Sequence, residues 1–191
     1  MQLNTTKMIA EEDGHIGWMI YNNPDRHNAM SMEMQEAVPV ILEAFQRDDN
    51  VRIVVMRGAG DRAFISGADI SEFETKRSTP EARAQFDEAM GRAGTAFARL
   101  EKPLIAMIHG YCMGGGLATA MQADIRIASD GAQFGIPAAR LGLGYQFGGV
   151  RALVGLVGPA HAAEILFSAK RFSAGEALEM GLINRVVPAE A

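Results

Sequence analysis

Two glycine-rich segments carry the residues best suited to chemistry: Ser66-Gly67-Ala68-Asp69-Ile70 and His109-Gly110-Tyr111-Cys112-Met113-Gly114-Gly115-Gly116. Each follows a run with strand character, and strand ends are where α/β folds bind ligands. Glycine has no Cβ, so a substrate can approach bare backbone N–H groups. Glycines that open a helix add the positive end of its dipole. Such a site suits an anion, or an oxygen on which negative charge develops, and it needs no ionisable side chain. Close packing of a helix on a sheet uses the same glycines. Two such elements in one chain shift the balance toward a ligand site.

Other motifs fall away. Gly58-Ala59-Gly60-Asp61-Arg62-Ala63 fits a loose dinucleotide-binding pattern, but that turn must run straight into a helix. Here Phe64 to Ile70 carries strand and loop signals, so a plain turn is expected. Neither G-x-x-x-x-G-K-[ST] nor G-x-S-x-G occurs, which disfavours P-loop phosphate chemistry and a nucleophile-elbow hydrolase. The single cysteine, Cys112, cannot close an intramolecular disulfide, and no histidine pair has zinc spacing; a reducing compartment and no structural metal are expected. With a net charge of −5 over 191 residues and no basic run, neither nucleic acid nor an anionic membrane is an expected partner. The first residues, Met1 to Lys7, lack an apolar leader core, and no stretch approaches about 18 uninterrupted apolar residues. The expected location is cytoplasmic.

The elements that must position the glycines are legible from periodicity. His15 to Tyr21 alternates as a half-buried strand, and Asn22-Asn23-Pro24-Asp25 is a turn. Met34, Val38, Ile41, Leu42 and Phe45 recur at helical spacing behind an N-cap at Ser31, with Pro39 expected to bend that helix. Val51 to Arg57 and Leu104 to His109 read as buried parallel strands. Between them a helix from Pro80 to Leu100 presents Phe86, Met90, Ala93, Phe97 and Leu100 on one face. Gly114 to Ala123 and Ile125 to Ala128 repeat the strand–helix–strand pattern. Ser173 and Glu176 have capping-box spacing, Gly181 stops that helix, and Ile183 to Val187 is a short last strand. The expectation is an α/β fold forming one domain over residues 1–191.

Phe64-Ile65-Ser66-Gly67-Ala68-Asp69-Ile70 resembles the F-x-x-G-A-D-[IL] element of the enoyl-CoA hydratase/isomerase (crotonase) family, and Ile108 to Gly116 resembles its [VI]-x-G-x-[AC]-x-G-G-G element. The tail from Phe172 to Pro188 is similar as well, so the resemblance covers nearly the whole chain. It implies a crotonase-like spiral of repeated ββα units and an acyl-CoA thioester as substrate, with coenzyme A part of that substrate and no separate cofactor. By position, the thioester carbonyl sits between the N–H groups of Ala68 and Gly115. The resemblance places Arg26, Ala29, Ser66, Asp69, Ile70, Tyr111 and Gly114 along the substrate, with Arg26 a candidate phosphate contact. It also implies a homo-oligomer, a trimer or hexamer. Family members continue beyond the equivalent of Pro188 into helices that close the acyl pocket and pack the trimer; the sequence given stops before them, either as a piece of a longer chain or as a protein that lacks that lid.

The sequence departs from the family at its acids and bases. The resemblance puts the hydratase glutamates three residues past the second glycine of the triplet and directly after F-G-x-P; those positions hold Ala118 and Ala138. Neither can activate water. The isomerase acid position falls on Gln146, and no carboxylate lies between Asp130 and Glu164. Ordinary hydration is therefore doubtful. Tyr145 matches a tyrosine of the family's methylmalonyl-CoA decarboxylases, whose enolate also needs an oxyanion hole, although those enzymes keep a glutamate at the Ala118 position. The leading expectation is an enoyl-CoA hydratase/isomerase-like enzyme acting through an enolate, with Ala68, Gly115 and Tyr145 as its catalytic set. A non-catalytic acyl-CoA-binding homologue, or a decarboxylase using Tyr145, are the alternatives. His109 and Cys112 are weaker candidates.

Overall fold

A computed structural model of the chain describes residues 3–72 and 79–190; Met1, Gln2 and Ala191 of the segments read above lie outside the described residues. Strand β1 (Met8–Asp13) pairs antiparallel with β2 (Ile16–Tyr21). Helix α1 (Met32–Arg47) follows, then β3 (Ile53–Gly58), β4 (Ala63–Ile65) and α2 (Pro80–Arg99). The next turn of chain supplies β5 (Leu104–Ile108), β6 (Tyr111–Met113) and α3 (Gly115–Ala120). It is followed by β7 (Ile125–Ser129), β8 (Gln133–Gly135) and α4 (Phe147–Ser168). The chain closes with β9 (Phe172–Ser173), α5 (Ala174–Glu179) and β10 (Arg185–Val187).

Each ββα turn adds one strand to each of two sheets, giving the orders β1-β2-β3-β5-β7-β10 and β4-β6-β8-β9. Apart from the terminal antiparallel pairs β1–β2 and β8–β9, the strands are parallel. Every turn therefore crosses from the large sheet to the small one at a short bend: 59–62, 109–110 or 130–132. These bends stack, which is how segments more than forty residues apart in sequence come to share one site. Sequence periodicity misses β1 and the three-residue strands β6 and β8, because they are too short, or too exposed, to show a period.

Buried residues of both sheets and the helices form one hydrophobic cluster, including Met34, Val38, Ile41, Leu42 and Phe45 from α1. Helix α1 runs unbroken through Pro39. Along α2, Ala93 is buried and Phe97 and Leu100 pack against the core as expected, while Met90 is 43% exposed and Ala89 takes the buried position beside it. Ser173 and Glu176 make both halves of the capping box. Helix α4 is long and apolar enough by composition to pass for a membrane span, but Gly158 (φ 75°) and Pro159 break it into two pieces. The Gly58-Ala59-Gly60 segment is a plain turn joining β3 to β4, with no helix after it.

Small-sheet packing sets a strict requirement at Gly116, where a Cβ would overlap the Ile65 carbonyl oxygen; α3 lies directly on β4 there. Gly155, exposed on α4, has nothing within 4 Å of its would-be Cβ. Gly116→Ala is expected to destabilise the protein by about 3 kcal/mol or more, the upper end of overpacking costs. Gly155→Ala should be neutral or stabilise by up to about 1 kcal/mol. Urea unfolding of the two variants checks this; equal midpoints would contradict the packing.

Candidate functional site

The loop before α1 carries two successive left-handed residues, His27 (φ 52°) and Asn28 (φ 54°), a backbone region that asparagine and histidine tolerate better than most side chains. Asn28 is fully buried and acts as a bracket. Its Nδ2 donates to the carbonyl oxygens of Ala59 (3.0 Å) and Ala63 (2.8 Å), and its Oδ1 accepts from the Asn23 N–H (2.9 Å). The loop is thereby tied to the β3–β4 bend. Its backbone then runs beside residues 66–69: the Ser66 N–H donates to His27 O (3.1 Å), the Met30 N–H to Gly67 O (2.8 Å), and the Asp69 N–H to Met30 O (2.9 Å).

That last pair forms a parallel bridge between Met30 and Ala68. In a parallel ladder the residue flanked by both bonds contributes neither of its own groups to them, so the Ala68 N–H faces away from Met30. Gly115 lies on that side: a methyl built on Gly115 would stand 3.8 Å from the Ala68 nitrogen, the one atom of another element so close. Gly115 is the first residue of α3, and its N–H is one of the orphan donors every helix start presents. Gly114, with φ 51°, makes the entry turn, and its own N–H is taken by Gly135 O (2.8 Å). Among the described residues, neither the Ala68 nor the Gly115 N–H has an acceptor. Because α3 has six residues, local N–H groups rather than a long macrodipole supply the positive potential.

Asp69, next to the first donor, is 9% exposed. Its Oδ1 accepts from the Ser71 N–H (3.0 Å), the Ser71 hydroxyl (2.7 Å) and Arg26 Nη1 (3.2 Å). Arg26 also donates to Ser71 Oγ at 2.8 Å. Burial works to raise the Asp69 pKa, but the Ser71 hydrogen bonds and the Arg26 guanidinium outweigh it, so the carboxyl sits below the ordinary aspartate value. Asp69 thus fixes the loop, and Arg26, 57% exposed on its side chain, is held at the rim. Ser66 Oγ reaches Arg26 O at 3.4 Å, and Ile70 is 68% exposed beside it. Tyr111 is half-buried in β6, with the His27 ring edge-on at 6.0 Å and Arg171 over its face at 5.2 Å.

On the other side of Gly114 lies a cavity of about 440 Å³ between α4 and the segment preceding it, walled by Ala138, Leu143, Tyr145, Val154, Ala162 and Phe167 among others. Among the described residues, its lining contains no carboxylate. Tyr145 joins the cavity to the donors: its hydroxyl donates to Gly114 O at 3.3 Å, and burial raises its pKa. Ala138 is in the cavity wall, whereas Ala118 is half-buried on α3 with its N–H bonded to Gly114 O (3.0 Å). Gln146 is exposed at the start of α4. Cys112 is fully buried in β6, its thiol pKa pushed up by burial, so it does not line this space. His109, whose pKa burial and then Arg57 depress, has Nε2 buried without a partner. A larger groove of about 710 Å³ between α1 and α2 shares no residue with these elements. The sequence places Asn28 in the Arg26-His27-Asn28-Ala29 loop but gives it no role of its own, since an asparagine beside a turn is its one local signal.

Residues 11–191 match the family model for enoyl-CoA hydratase/isomerase. The chain is 38% identical over 187 residues to the short-chain-enoyl-CoA hydratase of Clostridium acetobutylicum, spanning 98% of this chain and 70% of that protein. It is 33% identical over 184 residues to a peroxisomal Delta(3,5)-Delta(2,4)-dienoyl-CoA isomerase of Arabidopsis thaliana, spanning 91% of this chain and 66% of the relative. A solved enoyl-CoA hydratase/carnithine racemase from Magnetospirillum magneticum superimposes with a TM-score of 0.93 at 34% identity, covering 98% of this chain and 70% of that one.

The Asp69 arrangement has a signature in acid. Its folded pKa is depressed, so its contribution to stability is complete above the unfolded aspartate value near ~3.9 and is lost as pH falls through the folded value. Asp69→Asn should be less stable than the parent at neutral pH, and the gap should close as the pH is taken from 5 toward 2. Urea midpoints across that range test this; a gap that stays constant would contradict it.

Proposed function

The chain belongs to the enoyl-CoA hydratase/isomerase family, and from that premise we propose that it binds an acyl-CoA thioester with the carbonyl oxygen between the N–H groups of Ala68 and Gly115. The observation that carries this reading is that, among the described residues, neither N–H has an acceptor, and a methyl built on Gly115 would stand 3.8 Å from the Ala68 nitrogen. Charge that develops on the thioester oxygen as an enolate forms is met there by dipoles already in place, each worth about 2.7–4 kcal/mol in comparable sites. The acyl chain enters the apolar cavity beside Tyr145, and the loop bearing Arg26, Ala29, Ser66 and Ile70 flanks the coenzyme A moiety.

Hydration is the reaction named for the Clostridium relative. It needs groups that deliver and remove protons, and at the two positions where the family carries them this chain has Ala118 and Ala138. Among the described residues, no carboxylate from another element lines the cavity in their place. A site with donors and no base fits a reaction whose anion arises by bond cleavage in the substrate better than one that begins with proton abstraction by the protein.

Titration of the protein with butyryl-CoA against free coenzyme A, followed by turnover assays with crotonyl-, malonyl- and methylmalonyl-CoA, tests the proposal. Thioesters should bind more tightly than free coenzyme A, and at least one should turn over; binding no better than coenzyme A itself would overturn the assignment. Crotonyl-CoA hydration should be slower than in a carboxylate-equipped hydratase by about 10²–10⁴-fold, the usual share of general acid–base catalysis. Ala118→Glu with Ala138→Glu should raise it, at some cost in stability from placing two carboxylates close together. Efficient hydration by the unmodified protein would show that another group supplies the proton transfers.

The same premise leads to a homo-oligomer, a trimer or hexamer, which would also cover apolar surface around α4, where Phe147 and Phe167 are 80% and 81% exposed. Light scattering is expected to give a mass well above the 20.5 kDa of one chain; a monomer at every concentration would contradict it.

A further inference from the structure

We infer that Tyr145 acts on the oxyanion site through the peptide that joins Gly114 to Gly115, as a positioning residue that tunes one donor rather than as a group touching substrate. The phenol hydroxyl donates to Gly114 O at 3.3 Å. Gly114 C=O and Gly115 N–H are the two ends of one planar peptide unit, so a hydrogen bond at the oxygen polarises the N–H at the other end. The Ala118 N–H donates to the same oxygen at 3.0 Å. Two donors at Gly114 O therefore fix the plane of the peptide, and with it the direction in which the Gly115 N–H points. Gly114 needs this restraint, since its backbone lies at φ 51° and ψ −115°, outside the helix it opens.

The polarisation runs both ways. When the Gly115 N–H donates to an oxygen that is gaining charge, electron density shifts toward Gly114 O, which becomes a stronger acceptor for Tyr145. The long bond in the free site thus strengthens once a carbonyl oxygen accepts from the Gly115 N–H, and strengthens further as charge develops on that oxygen, so its contribution begins with the bound thioester and is largest in the charged state. Access of the ring to this position depends on Gly149, where a Cβ would meet Tyr145 ring carbons at 3.2 and 3.3 Å. Among the described residues, the phenol is also the only side-chain donor in the cavity wall. This use of the hydroxyl differs from orienting a substrate carboxylate, which would require it to point into the cavity rather than at the main chain.

The inference rests on the oxyanion reading above, and two measurements separate its failure from the failure of that reading. The first needs no ligand: the 15N and 1H shifts of the Gly115 amide report hydrogen bonding at the preceding carbonyl, and Tyr145→Phe, which keeps the ring, should move them toward values for a less polarised amide. The second compares binding of butyryl-CoA with that of S-butyl-CoA, the thioether that lacks the carbonyl. Wild type should prefer the thioester. Tyr145→Phe should shrink that preference by up to about twofold, a cooperative share of about 10–30% of one hydrogen bond to a neutral carbonyl. Thioether affinity serves as the internal reference for folding and for coenzyme A contacts. An unchanged Gly115 amide and an unchanged preference in Tyr145→Phe would overturn the role of Tyr145 alone. No preference in wild type would overturn the oxyanion reading and this inference with it.

Discussion

The site depends on one leftover hydrogen-bond donor. Residues 66–69 have the choice of pairing with the loop before α1 or with α3, and the Met30–Ala68 bridge divides them: Gly67 O and the Asp69 N–H go to Met30, and the Ala68 N–H is left facing α3. An unpaired N–H in a half-buried position costs free energy, and it persists because its neighbours are held on both sides. Asn28 holds the loop from below with three hydrogen bonds, and Asp69 holds the far end through Ser71 and Arg26. Gly116 then lets α3 lie against β4 closely enough for Gly115 to come opposite Ala68. The same physics that would normally bury or satisfy such a donor is thus overridden by a set of contacts that have no other evident purpose.

Much of this was legible in the chain, and the reasons differ by element. Long amphipathic helices such as α1 and buried β-branched strands such as β3 and β5 announce themselves through periodicity. The glycines at 67 and 114 to 116 pointed to exposed backbone because few other roles require so many positions without a Cβ in two short segments. What was not legible is also specific. Strands β6 and β8 have three residues each and no period to read. In α2 the choice between Ala89 and Met90 as the buried position depends on what α1 presents to it, which is tertiary information. Asn28 could not be distinguished from an ordinary turn asparagine, since its three partners come from residues 23, 59 and 63. The bond from Tyr145 to Gly114 O joins residues 31 positions apart and leaves no trace in local sequence.

The pocket and the donors impose opposite demands that meet at Gly114. An oxyanion is stabilised most where water is excluded and the surrounding dielectric is low, and on the proposed reading an acyl chain bound in the apolar cavity brings the site closer to that condition. Among the described residues the wall of that cavity offers no carboxylate, and an apolar space does not hold ordered water without polar partners. A carboxylate opposite the thioester would relieve the second problem and aggravate the first, because a negative charge across a dry pocket disfavours a second one on the substrate oxygen. With alanine at 118 and 138, repulsion from those positions is absent, and the field at the oxygen is set by backbone dipoles and by whatever polarises them. A site so arranged binds charge well and moves protons poorly. On the proposed reading its chemistry is governed by how the substrate generates the anion, and its tuning falls to main-chain polarity, where a single phenol on a peptide carbonyl has more leverage than it would beside a full acid–base pair.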